Sequence, residues 1–266
     1  MSSGLPIAEY IHNGPRAPVS VIMPTWNQRP EWLRMAIMSV AAQSMPPEEL
    51  IIVTAAGDSN IGLLNNLAHE MGSRLALYEA EKPSAHGQWK LGMQHASAKY
   101  VTKADSDDFL MPFKLEHEMG MLRRKPEAVV AFTGFWYADG LLRPGGRFSL
   151  ESYAHGMLER GCVVTESALV DREVWKGIGF LDLQYSFASF WDSVLKISEQ
   201  HPGGFVYDPV PSWCYRHHEA QVSAKEVPTS ESQNLRWKVV KEHFLRVGRT
   251  LPDWEISVKP PAMGDV

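Results

Sequence analysis

Three carboxylates fall within four positions of the stretch KYVTKADSDDFLMP (99–112): Asp105, Asp107 and Asp108. Carboxylates this close repel one another, so the arrangement calls for a cation or for a set of backbone donors. Alternate residues at a strand end can offer two carboxylates to one divalent ion, and such an ion neutralises the oxygens of a departing diphosphate. A helix start is the plainer reading of DSDDF before LMPFKLEHEM, but a cap employs one aspartate and leaves two unexplained. A calcium loop fails, because the glycine and the distal bidentate glutamate are missing at loop spacing.

The elements that must position these residues follow from hydrophobic period. Short β-rich runs alternate with helical stripes from Val19 onward, a βαβα order that predicts an α/β chain with a parallel sheet. VSVIMPT (19–25) reads as a buried strand stopped by Pro24, and Pro30 suits the first turn of a helix. That helix carries Leu33, Ala36, Ile37, Val40 and Ala41 on one face. ELIIVTAA (49–56) and RLALYEA (74–80) are the next strands, each followed by a helix, and KYVTKADSD (99–107) is the fourth. The aspartates therefore stand at the carboxyl end of a parallel strand, where ligands of open α/β sheets gather. A helix at about 113–124 and the strand AVVAFTGFWYA (128–138) continue the alternation. DGLLRPGGRF (139–148) reads as a loop, with a helix expected near 150–160 and another at SFWDSVLKISEQ (189–200). GFVYDPVPSWCYR (204–216) is strand-like. The last helix, 232–248, puts Trp237, Val240, Phe244 and Val247 on one face, and the tail KPPAMGDV reads as frayed.

Composition sets bounds on the class. The 266 residues, 44% of them hydrophobic, suffice for one full core, and no internal repeat or low-complexity tract is present. A net charge of -5 provides no global basic field for duplex nucleic acid. Cys162 and Cys214 lack metal or redox spacing and read as buried thiols of a reducing compartment. The opening residues have no cationic flank before an apolar core, and no run reaches about 18 uninterrupted apolar residues. The expectation is a cytoplasmic chain without a membrane span.

Five segments in order give the chain a resemblance to the family-2 glycosyltransferases of the GT-A fold: VSVIMPTWN, AIMSVAAQS, ADSDDFLMPFKL, GIGFLD and CYRHHEAQVS, which together cover about Val19 to Ser223. The resemblance implies a Rossmann-like, mostly parallel sheet flanked by helices, with a smaller C-terminal acceptor region. It implies an N-terminal extension at 1–17, a nucleotide-sugar-binding half at 18–139, an acceptor-binding half at 140–224 and a C-terminal helix and tail at 225–266. The implied activity is a metal-dependent, inverting transfer of a sugar from a nucleotide-diphosphate donor, UDP-sugar by default, to a hydroxyl. Asp107 and His218 would hold Mn or Mg, with Asp108 in support; Asp105 would meet the ribose; Pro24, Thr25 and Asn27 would face the nucleotide, with Trp26 free to stack. Arg216 and Lys90 would meet phosphate, while Trp89 is more simply core.

Two places depart from the family pattern. Thr54, Ala55 and Ala56 stand where relatives carry an acidic pair that reads the nucleobase, leaving Asp58 as the nearest carboxylate. Ser189 and Phe190 stand where an acidic pair precedes an aromatic residue, here Trp191, on the acceptor helix. Asp192 is then the expected general base, although it lies about 200° round the helix from Phe190. Glu166 and Asp182 are the other acids for that role. The competing readings are a non-catalytic sugar-nucleotide-binding protein of the same fold and a nucleotidyltransferase-like enzyme; PTWNQRP (24–30) lacks the Gly- and Arg/Lys-rich loop that the latter requires. The acceptor stays open: a glycan, a lipid-linked glycan, a protein or a hydroxylated nucleic-acid base, since Arg143 and Arg147 add too little charge to decide.

Overall fold

The computed structural model describes residues 14–219, 221 and 230–252. The N-terminal extension up to residue 13, part of the CYRHHEAQVS segment and the Pro-rich tail lie outside them. The chain opens as β1 (Ala17–Pro24), α1 (Pro30–Ala41), β2 (Pro47–Ala55), α2 (Ile61–Met71), β3 (Leu75–Ala80), α3 (Ala85–His95) and β4 (Tyr100–Lys103). It continues as β5 (Phe109–Leu110), α4 (Lys114–Arg124), β6 (Val130–Ala138), β7 (Pro144–Phe148), β8 (Leu169–Asp171) and α5 (Arg172–Gly177), then α6 (Ser189–Gln200), β9 (Phe205–Arg216) and α7 (Ser230–Arg246). The strands form one sheet in the order β3-β2-β1-β4-β8-β6-β9-β5, with β7 on β6.

The first four strands are all parallel, as the alternation requires. Beyond β4 the sheet is mixed: β8 runs antiparallel to β4 and β6, while β9 lies parallel to β6. Helices cover both faces, so successive residues of one strand enter opposite cores. Ile22, Ile51 and Val53 pack with Trp89, Met93, Phe190, Val240 and Phe244 on one side. Val21, Met23, Leu50 and Ile52 pack with Leu33, Ile37, Leu64 and Leu115 on the other. The stripe expected on α1 is buried in full.

Four expectations need correction. Residues 139–148 form a turn and an edge strand, with β7 antiparallel to β6. The helix expected at 150–160 is a single 3-10 turn at His155–Glu159. On α7, Val240 and Phe244 are buried, but Val247 is exposed and lies past the helix end. Cys162 is exposed and Cys214 partly open as whole residues, so neither residue is buried, although burial of the sulfur pushes both thiols up and both are free. Among the described residues no helix is long and apolar enough to cross a membrane.

Candidate active site

The aspartates sit where β4 gives way to β5. After Lys103 the chain turns, the Asp108 N–H donating to the Asp105 carbonyl at 3.2 Å. β5 then pairs antiparallel with β9, Phe109 opposite Cys214 and Leu110 opposite Trp213. That register brings residues 216–218 against the aspartates. The Arg216 N–H donates to Asp108 Oδ1 at 2.9 Å, and His218 Nε2 lies 2.8 Å from Asp107 Oδ2. Burial, and next the charges of Asp107 and Asp105, push the Asp108 carboxyl well above its ordinary range.

Arg216 was expected to offer its donor fork to phosphate, but the side chain is turned inward. It is 1% exposed. Its Nε donates to the Asp107 carbonyl at 2.5 Å, its Nη1 to the Gly140 carbonyl at 2.7 Å, and its Nη2 to Met35 Sδ at 3.5 Å. The guanidinium lies 4.7 Å from the centre of the Trp32 ring, with Arg29 at 4.4 Å from the same ring. Arg216 thus braces the turn from beneath. A pocket of about 470 Å³ lined by Arg29, Trp32, Gly140, Leu141, His218 and Glu219 opens beside it.

Asp105 belongs to a second group. Its Oδ1 lies 2.8 Å from the ammonium of Lys103, which also pairs with Glu166, and His86 Nε2 lies 3.3 Å from the other Glu166 oxygen. Burial alone would lower the Lys103 pKa, but Asp105 and Glu166 outweigh it and keep the ammonium charged. Glu166 is driven the opposite way: burial opposes ionisation, and Lys103 and His86 overcome it, holding the carboxyl far below its ordinary range. Asp105 is raised, since burial and the neighbouring Glu166 and Asp107 outweigh Lys103. Lys103 and His86 went unnoticed in the sequence. The available signal was a lysine inside an apolar strand, VTKAD, where only a paired charge is tolerated.

The loops after β1 and β2 are laced together. Asn27 adopts φ 50°, accepts from the Ser59 N–H at 2.8 Å on Oδ1 and donates its own N–H to Asp58 Oδ1 at 3.2 Å. Asp58 also accepts from the Asn60 N–H at 2.8 Å and the Thr54 hydroxyl at 2.5 Å. It is 5% exposed, so the carboxylate expected to face the base instead ties the two loops. Pro24 and Thr25 are buried at the strand end, where the Gln88 amide donates to the Thr25 and Val53 carbonyls, each at 2.7 Å. Trp26 is 45% exposed and Asn27 is open to solvent. Lys90 donates to the Leu181 carbonyl at 2.8 Å, which turns it away from a free phosphate-binding pose. Trp89 is core.

Asp192 is displaced from the role of base. Its side chain is 0% exposed, 2.7 Å from Lys196 and 3.5 Å from Arg246 of α7. Burial raises its carboxyl despite these cations. The offset from position 190 points it at α7, while Phe190 enters the core, 5.4 Å from the Trp89 ring. Ser189 donates its hydroxyl to the Ser186 carbonyl. Asp182 caps the 3-10 turn at Leu183–Ala188, accepting from Gln184. Among the described residues no group of three or more His, Cys, Asp or Glu side chains is placed to hold a metal by itself. Asp107 and His218 face each other as a carboxylate–imidazole pair.

The sheet is parallel in its first half and mixed in its second, with an aspartate cluster just past the end of β4. The sequence profile described as Glycosyl transferase family 2 matches residues 20–161, more than half of the chain, and the chain belongs to that family. A Rickettsia typhi protein described as an uncharacterized glycosyltransferase is 22% identical over 251 residues, covering 86% of this chain and 74% of its own. S. aureus TarS 1-349, solved in complex with UDP-GlcNAc, matches with a TM-score of 0.69 at 13% identity, over 88% of this chain and 68% of its own. The mannosyltransferase PcManGT of Pyrobaculum calidifontis, solved in complex with GDP-Man and Mn2+, matches with a TM-score of 0.62 at 16% identity, over 89% and 66% respectively.

Proposed function

We propose that this glycosyltransferase moves a sugar from a nucleotide-diphosphate donor to a hydroxyl acceptor with inversion, using a divalent cation, Mn or Mg, at Asp107 and His218. The observation that carries the reading is the 2.8 Å approach of His218 Nε2 to Asp107 Oδ2 at the end of β4. One carboxylate and one imidazole suit such an ion, because Mg- and Mn-type sites commonly complete their shell with phosphate oxygens and water. When bound, the ion supplies charge neutralisation for the leaving diphosphate. Trp26, exposed beside Asn27, would offer a stacking face to the base, and Asp105, paired with Lys103, would meet the ribose. Asp58 is engaged between the two loops rather than turned to a base, so UDP is kept as the default donor nucleotide and GDP is the next to test; the bound nucleotides of TarS and PcManGT span both. The free thiols suit a cytoplasmic, reducing location.

The test is Asp107→Ala, with nucleotide affinity measured with and without Mn. Loss of the Mn-dependent part of binding in a variant that still unfolds cooperatively is the expected result. Equal affinity with and without Mn in both proteins would remove the metal assignment. A degenerate binding protein is the competing reading, favoured by the buried Ser189 and Phe190. Hydrolysis of UDP-, GDP- or dTDP-sugars in the presence of Mn separates the two.

A further inference from the structure

An imidazole oriented by a carboxylate stands one ion pair away from the aspartates. His86 is the second residue of α3, and its Nε2 lies 3.3 Å from Glu166 Oε1. The other oxygen of Glu166 shares the Lys103 ammonium with Asp105. Both members of the pair reach solvent, His86 20% and Glu166 34% exposed in their side chains, so a substrate has access to them.

The pair is held from below. Next to Glu166, the Ser167 carbonyl accepts from the Thr102 hydroxyl at 2.8 Å and from the buried Lys114 ammonium at 2.7 Å. Lys114 is itself paired with buried Glu118 at 2.5 Å. Trp89 lies under Lys103, 5.1 Å from ring centre to ammonium, and beside His86. A fixed floor of this kind is what holds an acid-base pair to its geometry.

Four acids near the aspartate turn and on α6 are already engaged, and Asp182 caps its own 3-10 turn. Asp107 faces His218, Asp108 is buried on the Arg216 N–H, and Asp105 is on Lys103. Asp192 is enclosed between Lys196 and Arg246. Glu166 is ionised so firmly by its neighbours that it makes a poor proton acceptor but a good counter-ion. His86 makes no other hydrogen bond among the described residues, so with Nε2 turned to Glu166 its Nδ1 is the accepting atom.

We propose that His86, oriented by Glu166, is the base that removes the proton from the acceptor hydroxyl in the transfer described under Proposed function, on which this inference rests. As the acceptor oxygen bonds to the anomeric carbon, its proton passes to His86 Nδ1. The bond from that carbon to the diphosphate oxygen breaks, and its electron pair remains on the leaving group. Glu166 balances the imidazolium until the proton is released to water. Glu166 acts through His86 and is a positioning residue.

The experiment uses the full chain and the hydrolysis of UDP-, GDP- and dTDP-sugars with Mn, water serving as acceptor. For the donor turned over, His86→Ala is expected to lower kcat by about 10²–10⁴ with donor KM and nucleotide affinity kept. Added imidazole is expected to restore part of the rate. The Glu166→Gln variant also lowers kcat, and His86→Ala/Glu166→Gln is no slower than His86→Ala alone, because the carboxylate has nothing left to act through. Full kcat in His86→Ala, or additive losses in the double variant, would overturn the assignment. Wild-type protein that binds nucleotide with Mn yet turns over none of the donors would also overturn it, leaving the nucleotide site standing. Wild-type protein that binds no nucleotide overturns the function on which the inference rests.

Discussion

Asp58 fixes two loops with one side chain. Two carboxylate oxygens take three donors, from Thr54, Asn27 and Asn60, in a site closed to water. Hydrogen bonds to a charged partner contribute about 1.5–3 kcal/mol each, and a buried donor left unpaired carries a further cost. Asp58→Ala is therefore expected to destabilise the fold by at least about 1.5–3 kcal/mol, read as a lower urea midpoint. Nucleotide affinity should fall with it, because Asn27 and Trp26 lose their anchor. An unchanged midpoint would show that the loops hold without it. The same residue shows where sequence reading stops. The place of Asp105, Asp107 and Asp108 at a strand end was legible because charge there is conspicuous, whereas His218 was suggested only by the resemblance to the family. What a polar group has already been given was not: Asp58, Lys90, Arg216 and Asp192 meet partners as far away as Met35 is from Arg216, and those partners occupy the atoms expected to face substrate.

At the scale of elements, α3 rests on the sheet through Gly92. A Cβ built there would overlap Ile22 Cγ2 and lie 3.1 Å from Val53 Cγ2, both in central strands with no room to yield. Gly92→Ala gains helix propensity, up to about 1 kcal/mol, but overpacks a site between two buried strands, at about 1–3 kcal/mol. The steric effect wins, and a net loss of stability is expected on denaturant titration. The helix also carries His86 and the Gln88 amide that grips Thr25 and Val53, so lifting it should lower turnover as well. A variant as stable as the wild type would mean that β1 and α3 separate without cost. Most of this architecture could be read from period, since β1 to β4 and their helices follow the apolar pattern closely. The strand β7 could not, because Pro144, Gly145 and Gly146 are turn residues, yet an edge strand paired on one side tolerates them. The role of β9 was equally hidden: its pairing with β5 links residues about a hundred positions apart, and only that register carries Arg216 and His218 to the aspartates.

At the scale of the whole molecule, α7 is clamped to α6 by charge as well as by Val239, Val240 and Phe244. His243 Nδ1 lies 2.7 Å from Glu199 Oε1, and Arg246 Nε donates to both Glu199 oxygens at 2.9 and 3.0 Å. Burial would raise the Glu199 carboxyl, but the hydrogen bonds from His243 and Arg246 outweigh it and hold it below its ordinary value. A carboxyl depressed in the folded state stabilises fully above its unfolded pKa, about 4.3 for Glu, and loses that contribution as pH falls through the folded value. Asp192, raised by burial, acts in the opposite direction. Comparing wild type with Glu199→Gln cancels the Asp192 effect, since both proteins contain it. At pH 5 to 6 the variant removes the closest acid from Arg246 and His243, leaving them only Asp192 at 3.5 Å and Glu159 at 3.6 Å, and should melt several degrees lower, at about 2–4 °C per kcal/mol for a chain of this size. Between pH 5 and pH 3 the wild type loses the ionised Glu199 while the variant has nothing to lose there. The melting-temperature gap should therefore narrow steadily on acidification. A gap that stays constant from pH 5 to pH 3 would show that the ionised Glu199 does not hold α7, and that the apolar face of the helix is sufficient.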